Sequence, residues 1–418
     1  MNSEKRNIIV GQSGGPTAVI NASIGGVYYE AKKQGYDKVY GMIHGIEGFL
    51  QGSIVDLDKY LADPMGIELL KRTPSAFLGS CRFKMPKIDA SPETYQKVLD
   101  VMDANDINTL FYAGGNDSMD TVKMLSDFAA EKGIKDKYFM GVPKTIDNDL
   151  PITDHCPGYA SACKYIGTSI KEIIRDNESF GAAKPTIVIV EIMGRHAGWL
   201  TAAAALAKGS DCSGCDAIYL PERTFDLDAF MEKVKYLSET KRSVVIAVSE
   251  GIATADGKFV CEAGGAVLPV DAFGHKQLGG TAANLCRIIA KETGLKTRAI
   301  EFSTLQRAGS HIASLTDINE AFAAGRASAK AAAEGKTAMM PVFKRVSQDP
   351  YLCAIDLHDI HDIANVEKAV PDEFITEDGC GITDAYLDYA RPLIMGELEP
   401  VFVDGLPRHL VMEELAEF

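Results

Sequence analysis

No apolar run in this chain is long enough to cross a bilayer. The longest bland stretch, TAAAALA from Thr201, is a fraction of the roughly 20 residues that a spanning helix needs. The first residues, MNSEKRNIIV, lack the shape of a secretory leader, because their apolar run covers only Ile8 to Val10. A cytoplasmic protein is therefore expected. There is no cysteine framework either. The 9 cysteines are scattered, and an odd count argues for reduced thiols. Cys212 and Cys215 form a C-x-x-C, yet no second ligand pair stands nearby at zinc-site spacing, so they read as a loop beside a buried strand. Positive charge is in deficit. A formal net charge of −15 argues against nucleic acid or an anionic membrane as partner. It leaves small anionic substrates open, since a few clustered arginines and lysines reverse the field locally. Internal repeats and low-complexity linkers are also missing.

What is present suits a folded α/β enzyme. The 418 residues are enough for two ordinary domains, and 46% apolar with 24% charged residues is a normal soluble balance. Short apolar runs ending in glycine turns alternate with helical patterns. NIIVGQSGGP reads as a buried strand entering a turn, followed by Val19, Ile20, Ile24, Val27 and Tyr28 at helical spacing. Further strands are expected at 38–43, 108–115, 137–144, 186–194, 215–222, 243–251 and 298–306. Helices are expected from Asp117 toward Lys132, from Asp226 to Glu239, from Thr281 to Thr293, and over the Ala-rich 321–336. This alternation predicts parallel sheets with helices on both faces.

In such sheets, ligands bind at the carboxyl ends of strands. Three turns stand there: Gly11 to Gly15, Gly114 to Asp117, and Pro143 to Asp149. Glycine lets backbone N–H groups approach a phosphate, and a following helix N-terminus adds positive potential. Neither G-x-x-x-x-G-K-[ST] nor G-x-G-x-x-G occurs in these turns, which demotes the common nucleotide-binding readings. The segment PKTIDND at 143–149 is more specific. Asp147 and Asp149 lie two apart, so an extended chain would point both to one side. Paired carboxylates at a strand end suit one base plus one metal or water holder. An Asx-rich turn is the plain alternative.

Taken in order, SGGPTAVINA (13–22), FLGSCRF (77–83), GGNDS (114–118), PKTIDND (143–149), EIMGRHAG (191–198), SEG (249–251) and LQRAGS (305–310) resemble the phosphofructokinase family across about 300 residues. The resemblance implies two similar doubly wound α/β domains with mostly parallel sheets. Residues 1–158 plus about 306–370 would form the donor-binding domain, and about 159–305 plus 371–418 the sugar-phosphate domain. It implies phosphoryl transfer to the 1-hydroxyl of fructose 6-phosphate, with Mg²⁺ as cofactor. Asp147 would be the general base, with Lys144, Arg195 and Asp117 also in the catalytic set. Gly14, Gly15, Arg82, Ser118 and Lys144 would hold the donor phosphates. Thr145, Ile146, Met193, Gly194, Arg195, Glu250, Arg298, Thr304 and Arg307 would contact the sugar phosphate, and Asn116 and Asp149 the metal. The family's assembly would be a homodimer or homotetramer with shared active sites, Arg298 reaching across a subunit interface. Phosphoryl transfer is mostly positioning and charge stabilisation, and arginine forks suit phosphate oxygens.

Two positions bear on the donor. Where ATP-using relatives carry glycine, this chain has Asp117 and Lys144, which resembles the pyrophosphate-dependent branch. A carboxylate at Asp117 would block and repel an α-phosphate. Like charges about 4 Å apart at an effective dielectric near 20 cost about 4 kcal/mol. Lys144 would meet the charge that grows on a pyrophosphate leaving group. The reaction is expected to run in both directions. An ATP-dependent enzyme of the same family and a non-catalytic sugar-phosphate-binding subunit are the alternatives. Three positions depart from the family pattern. Asn116 replaces an acid, Thr304 replaces an aromatic or histidine, and Thr186 stands where an arginine is expected, with Lys184 nearby. His196 follows Arg195 and reads as a packed or merely supporting histidine and not a catalytic one.

Overall fold

The computed structural model describes residues 6–180, 184–262, 278–413 and 415. Its main strands in chain order are β1 Asn7–Gln12, β2 Val39–Met42, β3 Ile54–Asp56, β4 Ile107–Gly114, β5 Tyr138–Pro143, β6 Thr186–Ile192, β7 Ala217–Tyr219, β8 Ser243–Ser249, β9 Lys296–Glu301, β10 Met339–Gln348 and β11 Tyr351–Asp359. The chain divides into two units. The first holds Met1–Ser161, Arg307–Glu367 and Met395–Phe418, the second Ala162–Gln306 and Lys368–Ile394.

The first unit is built on a seven-stranded sheet in the order β11-β10-β5-β4-β1-β2-β3. Its centre is parallel, from β2 through β1, β4 and β5 to β10. Both edges are antiparallel, β3 on β2 and β11 on β10. The apolar runs are unbroken because both faces are covered. Alternate residues go to different cores. Ile9, Leu110, Tyr112 and Phe139 face one. Ile8, Val10, Phe111 and Met140 face the other. Each fully buried side chain of this size contributes about 1.5–3 kcal/mol.

Two helices of the first unit, Ile20–Gln34 and Leu315–Ala333, cross at backbone contact. A Cβ on Gly325 would stand 2.0 Å from the Ser23 carbonyl, so only glycine permits the approach. The second of these helices starts six residues before the expected position, at Leu315. Ser314 caps it, its side chain accepting from Asp317 N. The antiparallel pair β10–β11 was not anticipated from sequence.

The second unit has a four-stranded parallel sheet, order β7-β8-β6-β9. Ile187, Ile189, Ile246 and Val248 pack under Phe230, Val234, Leu285 and Ile289. Those four come from the helices Leu227–Thr240 and Thr281–Thr293. The expected strand at 298–306 stops at Glu301, because Ser303 takes a left-handed φ of 44° and Leu305–Ala308 turns helical.

The expected assignment of 371–418 to one domain needs correction. Lys368–Ile394 belongs to the second unit, where Phe374 and Tyr389 pack on Trp199 at ring distances of 6.1 and 5.6 Å. Met395–Phe418 belongs to the first. There Met412 enters the core, Leu410 N donates to Thr73 Oγ1, and Arg72 Nε donates to the Glu399 carbonyl.

Candidate active site

In the first unit, the carboxyl ends of β1, β4 and β5 stand side by side, as the parallel order requires. The β1 turn is pinned from below by Gln12, which is fully buried. Its Nε2 donates to Asn21 Oδ1, and its Oε1 accepts from Leu78 N. The turn is also tied to FLGSCRF. Gly14 N donates to the Cys81 carbonyl at 3.1 Å, and Ser80 Oγ donates to the Gly14 carbonyl at 2.6 Å. Arg82 is thereby held, exposed, beside Gly14 and Gly15.

Lys144 follows β5 and is buried. Its N–H donates to the Gly114 carbonyl, and its Nζ donates to the Gly15 carbonyl at 2.8 Å. One residue, through its backbone N–H and its side chain, thus links all three strand ends. Burial lowers its pKa to about 8, with Arg307 and Arg82 pulling the same way and Asp147 and Asp149 opposing. Arg307 also stands in this cluster. A Cβ on Gly15 would meet its Nη1 at 2.8 Å. Burial and then Arg82 hold the Arg307 pKa below its usual value. Three cations therefore converge on one glycine turn.

The Asp147 loop differs from the extended chain expected for it. Asn148 is left-handed, with φ 54°, so simple alternation does not place the two carboxylates. The turn is specified by side chains. Asp147 N donates to Thr145 Oγ1 at 3.1 Å, and Cys156 N donates to Asn148 Oδ1 at 2.9 Å. Asp147 ends exposed, whereas Ile146 and Thr145 are buried. Burial, and then the neighbouring Asp147 charge, push the Asp149 carboxyl up to about 7.

Asn116 and Asp117 open the helix Asn116–Glu131, and Ser118 is buried against Gly114. Asn116 Nδ2 donates to the Val366 carbonyl at 2.7 Å. Its Oδ1 and Asp149 Oδ1 are both shielded from solvent and accept no hydrogen bond. Such orphaned oxygens cost free energy unless something else binds them. Both are hard donors of the kind Mg²⁺ takes. Among the described residues, no three His, Cys, Asp or Glu side chains form a metal cage. Mg²⁺ at phosphate sites uses only one or two carboxylates, so Asn116 and Asp149 fit it.

The second unit carries its own polar turn after β6, at Met193, Gly194 and Arg195. Gly194 N approaches Glu250 Oε1 and Met193 N approaches Gln306 Oε1, each at 3.4 Å. Ser249 Oγ donates to the Gly194 carbonyl. A Cβ on Gly251 would stand 2.0 Å from the Arg195 carbonyl, so glycine is required there. Glu191 is buried just before the turn and caps the helix Thr281–Thr293 through Ala282 N at 2.8 Å. Burial pushes its carboxyl up to about 7.

Arg298 is not brought to this turn within its own unit. It pairs with Val188 in the sheet, five residues back from Met193 and so about 16 Å away along the strand. Its guanidinium is 3.4 Å from Asp176 and lies over Phe180. Thr304 is exposed; His196 is exposed too, so the expectation of a packed histidine there is corrected. Sequence reasoning missed Ser249, Gly251 and Gln306 as builders of the turn. All three lie inside SEG and LQRAGS, where the neighbouring acid and arginine had drawn attention.

Two parallel-sheet units, with a cationic glycine turn and a carboxylate loop at the strand ends, define an α/β phosphotransferase. The chain belongs to the phosphofructokinase family: the family profile described as Phosphofructokinase matches residues 7–331. A pyrophosphate–fructose 6-phosphate 1-phosphotransferase of Xanthomonas campestris is 42% identical over 98% of this chain and 97% of its own length. One from Methylococcus capsulatus is 41% identical over 98% and 97%. The crystal structure of a pyrophosphate-dependent phosphofructokinase from Nitrosospira multiformis matches with a TM-score of 0.87 and 38% identity, covering 97% of this chain and 96% of that one. No described helix is long and apolar enough to cross a membrane.

Proposed function

We propose that this chain moves a phosphoryl group reversibly between pyrophosphate and the 1-hydroxyl of fructose 6-phosphate, giving fructose 1,6-bisphosphate and phosphate. The observation that carries the donor assignment is Lys144, buried and tied to the Gly15 carbonyl beside Arg82 and Arg307. A cation so placed matches the charge that grows on a phosphate leaving group. Asp117 in the first helical turn adds a carboxylate where a nucleotide's α-phosphate would have to pass.

In this reading Asp147 accepts the proton of the 1-hydroxyl as it attacks, and Thr145 holds the Asp147 backbone. Gly14, Gly15, Arg82, Ser118 and Lys144 hold pyrophosphate; Arg307, expected from the resemblance to contact the sugar phosphate, is reassigned to pyrophosphate because its guanidinium stands against Gly15. Met193, Gly194, Arg195 and Glu250 hold the sugar phosphate. Asn116 and Asp149 would hold Mg²⁺, which when bound neutralises phosphate oxygens. The reading includes a homodimer or homotetramer in which the exposed Arg298 serves a neighbouring subunit.

The test is a coupled assay with each donor in turn. Turnover with pyrophosphate and little with ATP is expected, and robust ATP turnover without pyrophosphate turnover would overturn the donor assignment. In Asp117→Gly with Lys144→Gly, ATP affinity should rise. Equilibrium sedimentation reads the assembly.

A further inference from the structure

The loop carrying Asp147 and Asp149 is closed by its own ends. Thr145 bridges Gly158, and Thr145 N donates to the Pro157 carbonyl at 3.2 Å. Its return arm, residues 153–158, is gripped by two other elements. From β10, Phe343 N donates to Thr153 Oγ1, and the Phe343 carbonyl accepts from Asp154 N. From the first turns of the helix Leu315–Ala333, Asp317 accepts from Gly158 N at 2.9 Å and Ser161 N at 2.8 Å.

His155 sits at the centre of this grip, fully buried. Its ring stacks on Phe343 at 4.8 Å and 5°. Nδ1 is 2.8 Å from Asp154 Oδ2, and Nε2 is 2.7 Å from Glu320 Oε2. Both ring nitrogens face carboxylates, so both act as donors and the ring carries a proton. Arg345 Nη2 meets Asp154 at 2.9 Å, and Tyr351 Oη donates to Glu320 Oε1 at 2.7 Å. Two cations and two anions thus close a hydrogen-bonded network around the buried His155, its outer members Asp154, Glu320 and Arg345 half-buried. Losing one charge would strand the others at a heavy cost.

We infer that His155 is a positioning residue: as an imidazolium it locks the return arm of the Asp147 loop to Glu320 and so fixes where the base stands. The catalytic part of this inference rests on the proposed function, while the anchoring part does not. The link is short. Cys156, next to His155, donates its N–H to Asn148, the residue between the two carboxylates. Burial opposes the charge on His155, but Asp154 and Glu320 outweigh it and raise its pKa to about 9. The other titratable groups facing the network are Arg345, Tyr351, Cys353 and Asp317, and burial pushes the last three toward their neutral forms. A histidine pKa above its unfolded value stabilises the folded form at low and neutral pH, and loses that effect as pH rises through the folded value. The anchor should therefore loosen near pH 9.

The test uses the full chain with His155→Gln and, separately, Glu320→Gln, which keeps the shape and removes one charge. Hydrogen exchange of segment 145–158 should speed up about tenfold or more in each, while the helix Asn116–Glu131 keeps its wild-type protection. The wild type should lose the same protection between pH 8 and 10, beyond the intrinsic rate change, and the variants should not. With pyrophosphate and fructose 6-phosphate, kcat per folded molecule should fall about tenfold or more, with the pyrophosphate KM within about twofold. Unchanged exchange at 145–158, exchange that rises across the whole first unit, or an unchanged kcat would overturn the inference. Exchange needs no turnover, so an inactive wild type would sink the proposed function and still leave this anchor tested.

Discussion

Lys144 Nζ and the Gly15 carbonyl are 2.8 Å apart, so the ammonium at the end of β5 is fixed to the turn at the end of β1. It is held there against its own desolvation. The ionised form persists only because Asp147 and Asp149 partly offset burial and the two neighbouring arginines.

The first prediction concerns pH. The Lys144 cation is present below about pH 8 in the free protein and is lost above it. Since kcat/KM reports the free enzyme, kcat/KM for pyrophosphate should fall about tenfold per pH unit above that point. Lys144→Met should lower kcat/KM and remove that limb. Stability should run the other way. An unfolded lysine keeps its proton to about pH 10.4, so between the two values the unfolded chain binds more protons and this group's contribution improves with pH. A pH–rate profile with a parallel melting series checks both signs.

The second concerns Asp147. Its carboxylate is exposed at the tip of a turn set by Thr145 and Asn148. Asp147→Asn keeps the shape and removes the proposed base. It should lower kcat about 10²- to 10⁴-fold in both reaction directions. Fructose 6-phosphate affinity by calorimetry should change little. Loss of affinity in step with loss of rate would mean that Asp147 binds and does not abstract.

The strands were legible where both faces are buried. NIIV, TLFYA and TIVIVEI have the continuous apolar character that parallel centre strands need. The β10–β11 pair was not legible, because Lys344, Val346, Leu352 and Ala354 lie exposed at the sheet edge and blur the apolar signal. The site was legible as residue types and order. Its geometry was not, because Asn148 breaks the alternation that would have placed Asp147 against Asp149. The destination of 395–418 was also hidden. One buried methionine and a few backbone hydrogen bonds decide it, and no periodicity reports them.

Gly251 supplies a third test, confined to the second unit. Its missing Cβ leaves room for the Arg195 carbonyl, which a methyl group would meet at 2.0 Å. Backbone cannot retreat as a flexible side chain can. Gly251→Ala should therefore displace the Met193–Arg195 turn and raise the fructose 6-phosphate KM about tenfold or more, equivalent to about 1.4 kcal/mol. The pyrophosphate KM should stay near wild type, since its proposed ligands belong to the other unit. A matched rise in both KM values would point to a general loss of fold.

The last prediction concerns the metal. Among the described residues, Asn116 Oδ1 and Asp149 Oδ1 are the two buried oxygens of the first unit's strand ends that accept no hydrogen bond. Asn116 is oriented by its donation to the Val366 carbonyl, so its amide oxygen has no alternative role. Of the pair, only Asp149 brings a negative charge, and a neutral amide is the weaker Mg²⁺ ligand. Asp149→Asn should therefore raise the Mg²⁺ concentration for half-maximal rate about tenfold or more, whereas Asn116→Ala should raise it less. In the absence of Mg²⁺, Asp149→Asn should melt higher than wild type at pH 8, because it removes a carboxylate whose ionised form burial and Asp147 both oppose. A Mg²⁺ requirement unmoved by Asp149→Asn would show that the phosphates alone hold the ion, leaving Asp149 to position Asp147.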